Sequence, residues 1–482
     1  MNVPRLALPV LLIATGCFKT GYGQVNPTYT DIPLTNLEAF RDAGKNWVIA
    51  SGVTADYTKT NDIKPVKGSG ILVNTVEQNG QMQLITKEEF GDLELELDFL
   101  MAKGSNSGVY LMGRYEVQLF DSWLVTDPAS TDVGGIYKRP DGQGGAKEGT
   151  APAMNVARAP GLWQHLHIRF RAPRFDATGQ KIASARFESV YLNGVLVQDN
   201  VAVTGPTFSA LYPDDEKTRG PLVIQGDHGP EAFRNIRYRS IPEGDGTPVA
   251  VKKDGDEEEE DWNAIGPVFA EPGARPAMVR AFLMYGDKKL THVTSVGHPN
   301  QVNYSYDVKR GALFQVWRGK FLDLTRAWRQ RGETQLGVPR GSVIVLSDAP
   351  FIAALRDAAA PWPDTIAFDD LDNKGYVLDK QRSPTFDYFI QGMEVKDSIV
   401  IRPDGEGITR TVWVNHPQPS AYCRIAAGSQ VEKLGEDLYA VNDRSYYIRI
   451  DKRYRPAIRP AASGQELLVK YDNAAITYSI IW

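Results

Sequence analysis

The run LELELDFLM, residues 93–101, sets Leu93, Leu95, Leu97, Phe99 and Met101 on one parity and Glu94, Glu96 and Asp98 on the other. A period of two belongs to a strand with one buried face, because a helix would scatter these carboxylates through its apolar side. The pattern recurs. HLHIRFR alternates, with Leu166, Ile168 and Phe170 inward, and GPLVIQ is a further short strand. VYLNGVLV is a hairpin whose Asn193-Gly194 pair predicts a type I′ turn. From Trp47 to about Ile241 the chain reads as short strands, which means a sandwich or barrel. One exception precedes them: PLTNLEAF, with Thr35 and Glu38 spaced as a capping box, predicts a short helix.

At 482 residues the chain is too long for one ordinary domain. The β pattern breaks at 243–273, where a Gly-rich stretch runs into six acidic residues, Asp256 to Asp261. Contiguous carboxylates repel and lack the spaced loop geometry of a calcium site, so this reads as a solvated linker crossed by few contacts. Strand signals return over 274–482 in VNYSYDV, LFQVW, SYYIRI, ELLVKY and AITYSIIW. They predict a second β-sandwich-like region, in two parts meeting near residue 365. FLDLTRAWRQRG reads as a helix or an irregular connection, and Trp317, Trp328 and Trp413 read as core.

The 59 acidic and 54 basic residues form no basic patch, which argues against a nucleic-acid partner. The N-terminus reads as an export signal over 1–23. Arg5 supplies the positive end, and LALPVLLIATGCF is an apolar stretch too short to span a bilayer. Two processing sites compete: ATGC, which would place a lipid anchor on Cys17, and GYG before Gln24. Either way the protein is expected outside the cytoplasm, periplasmic or at the cell surface, with no transmembrane helix. Cys423 then stands alone, with no partner for a disulfide and no ligand set for covalent haem or a cysteine-bound zinc. No cofactor or metal is expected.

The stretch NSGVYLMGRYEVQLFDSW, residues 106–123, carries the chemistry. Read YEVQLF as one strand, and Tyr115, Val117 and Leu119 face a core while Glu116, Gln118 and Phe120 face away. A carboxylate, an amide and a ring together suit a sugar: acceptor, donor and acceptor, and a stacking surface. Polar residues on the outer face of an antiparallel strand are also ordinary.

NSGVYLMGRYEVQLFDS, followed by GGIYK and closed by GPLVIQGDHGPEAFRNIRYR, resembles the bacterial 3-keto-disaccharide hydrolase family over about residues 45–241. LWQHLHI resembles that family's tryptophan strand. One departure stands out: the family's closing motif runs from glutamine straight to Asp-His-Gly, whereas here Gly226 is inserted ahead of His228. The resemblance implies an all-β, concanavalin-A-like jelly roll over 24–242 and a substrate already oxidised at C3, a small or oligomeric glycoside. A C3 ketone acidifies the C2 proton, so one base can form an enolate and the C1 substituent leaves by β-elimination. Water adding back gives net hydrolysis. The route needs a base, an acid and donors to the enolate, not the paired carboxylates of an ordinary glycosidase.

On this reading Glu116 and His228 are the candidate bases, Glu116 first, and Tyr137 the candidate acid. Asn106, Arg114, Gln118, Lys138 and Gln225 are candidate substrate-binding residues. Each has an ordinary alternative: Arg114 as a turn residue after Gly113, Tyr137 as a half-buried sheet aromatic, His228 as a turn brace. His165 and His167 share a strand face without a third metal ligand, and Arg234 and Asn235 read as structural. VNYSYDVKRGALFQVWRGKFLDLTRAW and GYVLDKQRSPTFDYFIQG resemble β-rich modules attached to secreted bacterial proteins of sugar and haem enzymology. Two further functions compete with the enzyme: a non-catalytic, lectin-like carbohydrate-binding surface protein, and a scaffold whose second region binds a partner.

Overall fold

A computed structural model describes residues 28–75, 82–242, 266–329, 335–472 and 474–482. The export segment with Cys17 and the acidic run Asp256 to Asp261 lie outside the described residues. Among those described, no helix is long and apolar enough to cross a membrane.

The first unit is a jelly-roll β-sandwich of two antiparallel sheets. The larger one orders its strands Val195–Val203, Ala185–Leu192, Trp163–Arg171, Leu93–Met101, Glu231–Ser240, Ile63–Asn74 and Trp47–Ala55, with Thr30–Asp31 added on Glu231–Ser240. The smaller one orders Leu84–Phe90, Gly220–Ile224, Asn106–Leu111 and Tyr115–Phe120. Leu93, Leu95, Leu97, Phe99 and Met101 all enter the core between the sheets, as do Leu166, Ile168 and Phe170. Asn193 and Gly194 both have positive φ, the geometry a type I′ turn requires.

The polar parity of Leu93–Met101 is a closed charge lattice. Glu94 accepts from His167 and Arg239, each at 2.8 Å, and Asp98 accepts from His165 at 2.8 Å and Asn235 at 2.7 Å. Burial opposes ionisation of Glu94, but the hydrogen bonds from His167 and Arg239 outweigh it and hold its carboxyl at about 2. His165 and His167 are therefore carboxylate partners, and Arg234 reaches Asp98 from the neighbouring strand.

The helix expected in PLTNLEAF does not form. Residues 35–39 are bends and turns. The Asn36 side chain accepts from the Glu38 amide at 2.9 Å, an Asx-turn that competes with the helix the capping box would start. FLDLTRAWRQRG divides: a strand runs to Asp323 and a five-residue helix covers Thr325–Arg329.

Among the described residues the second unit holds sheets of six, four and eight strands, and none of these strands pairs with the first unit. One hydrophobic cluster joins Tyr304 and Tyr306 to Phe386, Ile399 and Ile480, so the two parts expected to meet near residue 365 share a core. Trp317 is fully buried, but Trp328 is 72% and Trp413 43% exposed, against the expectation of three core tryptophans. At Trp413 the reason is parity: Val412 and Val414 on either side are buried.

The same cluster reaches into the first unit through Tyr57, Ala159 and Leu162. Tyr57 stacks on Tyr447 at 5.2 Å, the Tyr447 hydroxyl donates to the Pro160 carbonyl at 3.0 Å, and Trp123 Nε1 donates to the Trp482 carbonyl at 2.7 Å. Arg234 adds an ion pair with Asp443 at 2.7 Å. The expectation of few contacts between the halves is corrected: sheet pairing separates them, but the core does not.

Candidate active site

Strand pairing places Tyr110 opposite Glu116 and Gly108 opposite Gln118. On the other flank of Tyr115–Phe120 runs the GGIYK segment. The Tyr137 amide donates to the Glu116 carbonyl at 3.1 Å, and Ile136 bridges to Val117. Val223 pairs with Tyr110, so Gln225 continues its strand onto the same parity, and its amide donates to the Gly108 carbonyl at 2.9 Å. Directly opposed residues share a face. One outer face of the small sheet therefore gathers Asn106, Gly108, Tyr110, Glu116, Gln118, Tyr137 and Gln225. The opposite parity, Tyr115, Val117 and Leu119, fills the core as the sequence predicts.

Glu116 lies on the expected face but not in a wet groove: it is 2% exposed. Tyr110 and Tyr137 flank it, and its carboxylate lies over Gly108, where a Cβ would overlap it. Only glycine leaves that space. Burial pushes the Glu116 carboxyl up to about 8; the Tyr110 phenol, hydrogen-bonded to it, pulls the other way, and the nearby Asp227 charge adds to the rise. Burial and the Glu116 charge in turn raise the Tyr137 phenol. Gln118 Nε2 donates to Asn106 Oδ1 at 2.7 Å, so these two predicted residues form one polar pair.

His228 stands at the rim, its side chain 54% exposed. Its Nδ1 meets Asp227 Oδ1 at 2.8 Å and Gln225 Nε2 at 3.3 Å. A carboxylate only accepts, so the shorter Asp227 contact puts a proton on Nδ1, the 3.3 Å approach of the Gln225 amide nitrogen is then no hydrogen bond, and Nε2 is the ring nitrogen without a partner among the described residues. The inserted Gly226 is pinned beside it. Its carbonyl accepts from Asn46 and Asn74, each at 3.1 Å, and its amide donates to Gln83 at 2.8 Å. The Met82 carbonyl and the Trp47 ring leave no room there for a side chain. Behind the loop, fully buried Glu231 accepts from Asn74 at 2.9 Å and Ser105 at 3.3 Å. Burial raises this carboxyl too, to about 8, against those hydrogen bonds and with help from the Asp227 charge.

Arg114 takes its ordinary alternative. It is 2% exposed, and its guanidinium donates to the Met112 carbonyl at 2.6 Å and to the Asp215 carbonyl, while stacking on Tyr212 at 4.8 Å. These contacts commit it to holding the loop before Gly220. Lys138 sits next to Tyr137, its Nζ 5.9 Å from that ring, and its carbonyl accepts from Phe208. The Gly-rich insertion beyond it folds as a small ribbon, Arg139–Pro140 against Ala146–Lys147. Tyr110 and Asp227 were not singled out from the sequence. Tyr110 shares its parity with Asn106 and Gly108, and Asp227 sits beside His228 in QGDHG.

Residues 35–239 match the 3-keto-alpha-glucoside-1,2-lyase-like domain family. That match spans the first sandwich, and it contains every residue of the Glu116 face. No curated protein matches the chain. A solved structure from Parabacteroides distasonis described as a "putative glycosyl hydrolase" is 24% identical, covers 46% of this chain and 94% of its own, and has a TM-score of 0.31. A carbohydrate-binding module from Bacillus subtilis is 13% identical over 41% of this chain and 97% of its own, with a TM-score of 0.20. The binding domain of botulinum neurotoxin serotype D is 7% identical over 91% of this chain and 92% of its own, with a TM-score of 0.24.

Proposed function

We propose that the protein is an exported enzyme that cleaves 3-keto-glycosides by β-elimination. The observation that carries this reading is a single carboxyl, Glu116, raised to about 8 by burial and flanked by two phenols on a face of amides. A general base works best with a pKa near the working pH, and burial brings this carboxyl there. The ketone at C3 supplies the acidity at C2 that such a base needs.

Glu116 takes the C2 proton, and the C–H electrons form the C2–C3 enolate. Tyr137 is the phenol left to donate to that oxygen, since the Tyr110 hydroxyl is committed to Glu116. The enolate then collapses to a C1–C2 double bond with return of the C3 ketone, and the C1–O bond breaks. His228 in its doubly protonated form, with its Nδ1–H held by Asp227, gives its Nε2 proton to the departing oxygen. Water added across C1–C2 completes net hydrolysis. Asn106, Gln118 and Gln225 hold sugar hydroxyls. The half-exposed Tyr137 ring has to turn aside for the substrate to reach Glu116.

The test is mass spectrometry of purified protein with a 3-keto-disaccharide and with its unoxidised parent. The proposal expects a released sugar and a 2-hydroxy-3-keto-glycal, or its hydrate, from the first alone. Equal cleavage of the parent would reject the elimination route, and binding without turnover would favour a lectin.

A further inference from the structure

The second unit exposes two aromatic rings and four charged side chains on the side of its eight-stranded sheet turned away from the core. We infer that this face binds neutral polysaccharide chains at a site separate from the Glu116 face. The inference does not depend on the chemistry proposed above.

Three adjacent strands build the face: Pro384–Ile390, Met393–Ile401 and Gly407–Asn415. Their parity alternates strictly, with Phe386, Tyr388, Val395, Ile399, Val412 and Val414 inward. Register then fixes what points outward. Asp387 lies opposite Lys396 and Lys396 opposite Trp413; Phe389 lies opposite Glu394 and Glu394 opposite Asn415. These side chains line a groove of about 600 Å³. Trp413 is 43% and Phe389 42% exposed, and neither belongs to a core cluster. One strand, Met393–Ile401, lies between those of the two rings, so two strand spacings, roughly 10 Å, part them and they would meet different sugars of one chain.

Charge complementarity selects the ligand. Lys374 and Lys396 balance Asp387 and Glu394 in the lining, so neither an anionic nor a cationic ligand is favoured. Hydroxyls, which both donate and accept, match such a mixed surface. The groups are also incompletely engaged. Lys396 Nζ stands 3.8 Å from Asp387 Oδ1, beyond hydrogen-bond reach, and that oxygen, though shielded from solvent, has no hydrogen-bond partner among the described residues. Asn415 donates to Glu394 at 3.3 Å, a long contact. On the first unit's large sheet, by contrast, Glu94 and Asp98 are closed off by several partners each.

The experiment is affinity electrophoresis of the full-length protein through gels containing laminarin, xyloglucan or soluble starch, with carboxymethyl-cellulose as the anionic comparison. At least one neutral polymer should retard the protein. Trp413→Ala should weaken that binding at least about tenfold, as loss of a stacking anchor does, and Phe389→Ala should weaken it less. Both positions are on the surface, so melting temperatures should hold, and Glu116→Gln should leave retardation intact. No retardation by any neutral polymer, retardation by carboxymethyl-cellulose alone, or undiminished binding in Trp413→Ala would overturn the inference. So would a dimer in sedimentation that Trp413→Ala dissociates, because the face would then belong to a second copy of the chain.

Discussion

Glu231 offers a stability test whose sign and size follow from its surroundings. It is fully buried, with a carboxyl at about 8 against an ordinary value of 4.5. A carboxyl raised in the folded state contributes stability that is complete below about pH 4.5 and lost as pH climbs towards 8, because the unfolded chain gives up its proton first. The full shift corresponds to about 5 kcal/mol at about 1.4 kcal/mol per pH unit. Structural relaxation around the charge trims this, so a loss of about 2–4 kcal/mol between pH 5 and 9 is expected from this residue. Glu231→Gln removes the ionisation and keeps the shape: the amide oxygen can accept from Asn74, and the amide nitrogen can donate to Ser105. The two proteins should therefore melt together at pH 5 and diverge as pH rises, the variant ending higher by roughly 5–15 °C for a domain of this size. Thermal unfolding by circular dichroism at half-unit pH steps reads this directly. Parallel curves for wild type and variant would refute the argument that burial governs this carboxyl.

Two further outcomes follow from the packing. A fragment ending at Pro242 strips the cover from Tyr57, Leu162 and Trp123, each large apolar group worth about 1.5–3 kcal/mol of burial; it should aggregate or melt without cooperativity in scanning calorimetry, and a soluble, sharply melting fragment would show the interface to be dispensable. Gly108→Ala drives a methyl into the Glu116 carboxylate; it should cost about 1–3 kcal/mol in denaturant unfolding and abolish turnover, whereas full activity would mean that the carboxyl is free to sit elsewhere.

Where one side of a strand is apolar, the sequence was easy to read. Leu93–Met101, Trp163–Arg171 and the Asn193-Gly194 hairpin follow from period and turn chemistry, and the parity of Tyr115–Phe120 places Glu116 correctly. Parity says which face a side chain takes but not what covers that face. The enclosure of Glu116 comes from Tyr110 in the same hairpin and from Tyr137 and Asp227, which come from segments later in the chain. Arg114 shows the same gap: its partner Asp215 lies 101 residues away. The joint between the units was hidden because Tyr57, Ala159 and Leu162 lie in turns and connections, where no periodic pattern marks a buried face. Trp413 went unrecognised as a surface group because tryptophan alone suggests core, although its valine neighbours carried the inward parity.

Proton exchange at C2 tests the central claim most directly. In deuterated water, a non-cleavable 3-keto-glycoside should gain deuterium at C2 in the presence of the enzyme, at a rate that rises with pH towards about 8 as the Glu116 carboxyl ionises. Glu116→Gln keeps the hydrogen bond from Tyr110 but removes the base, and exchange should fall by about two to four orders of magnitude. His228→Asn should leave exchange largely intact while slowing release of the C1 substituent from a cleavable substrate. Exchange at the wild-type rate in Glu116→Gln, or its loss in His228→Asn alone, would contradict the assignment of Glu116 as the base.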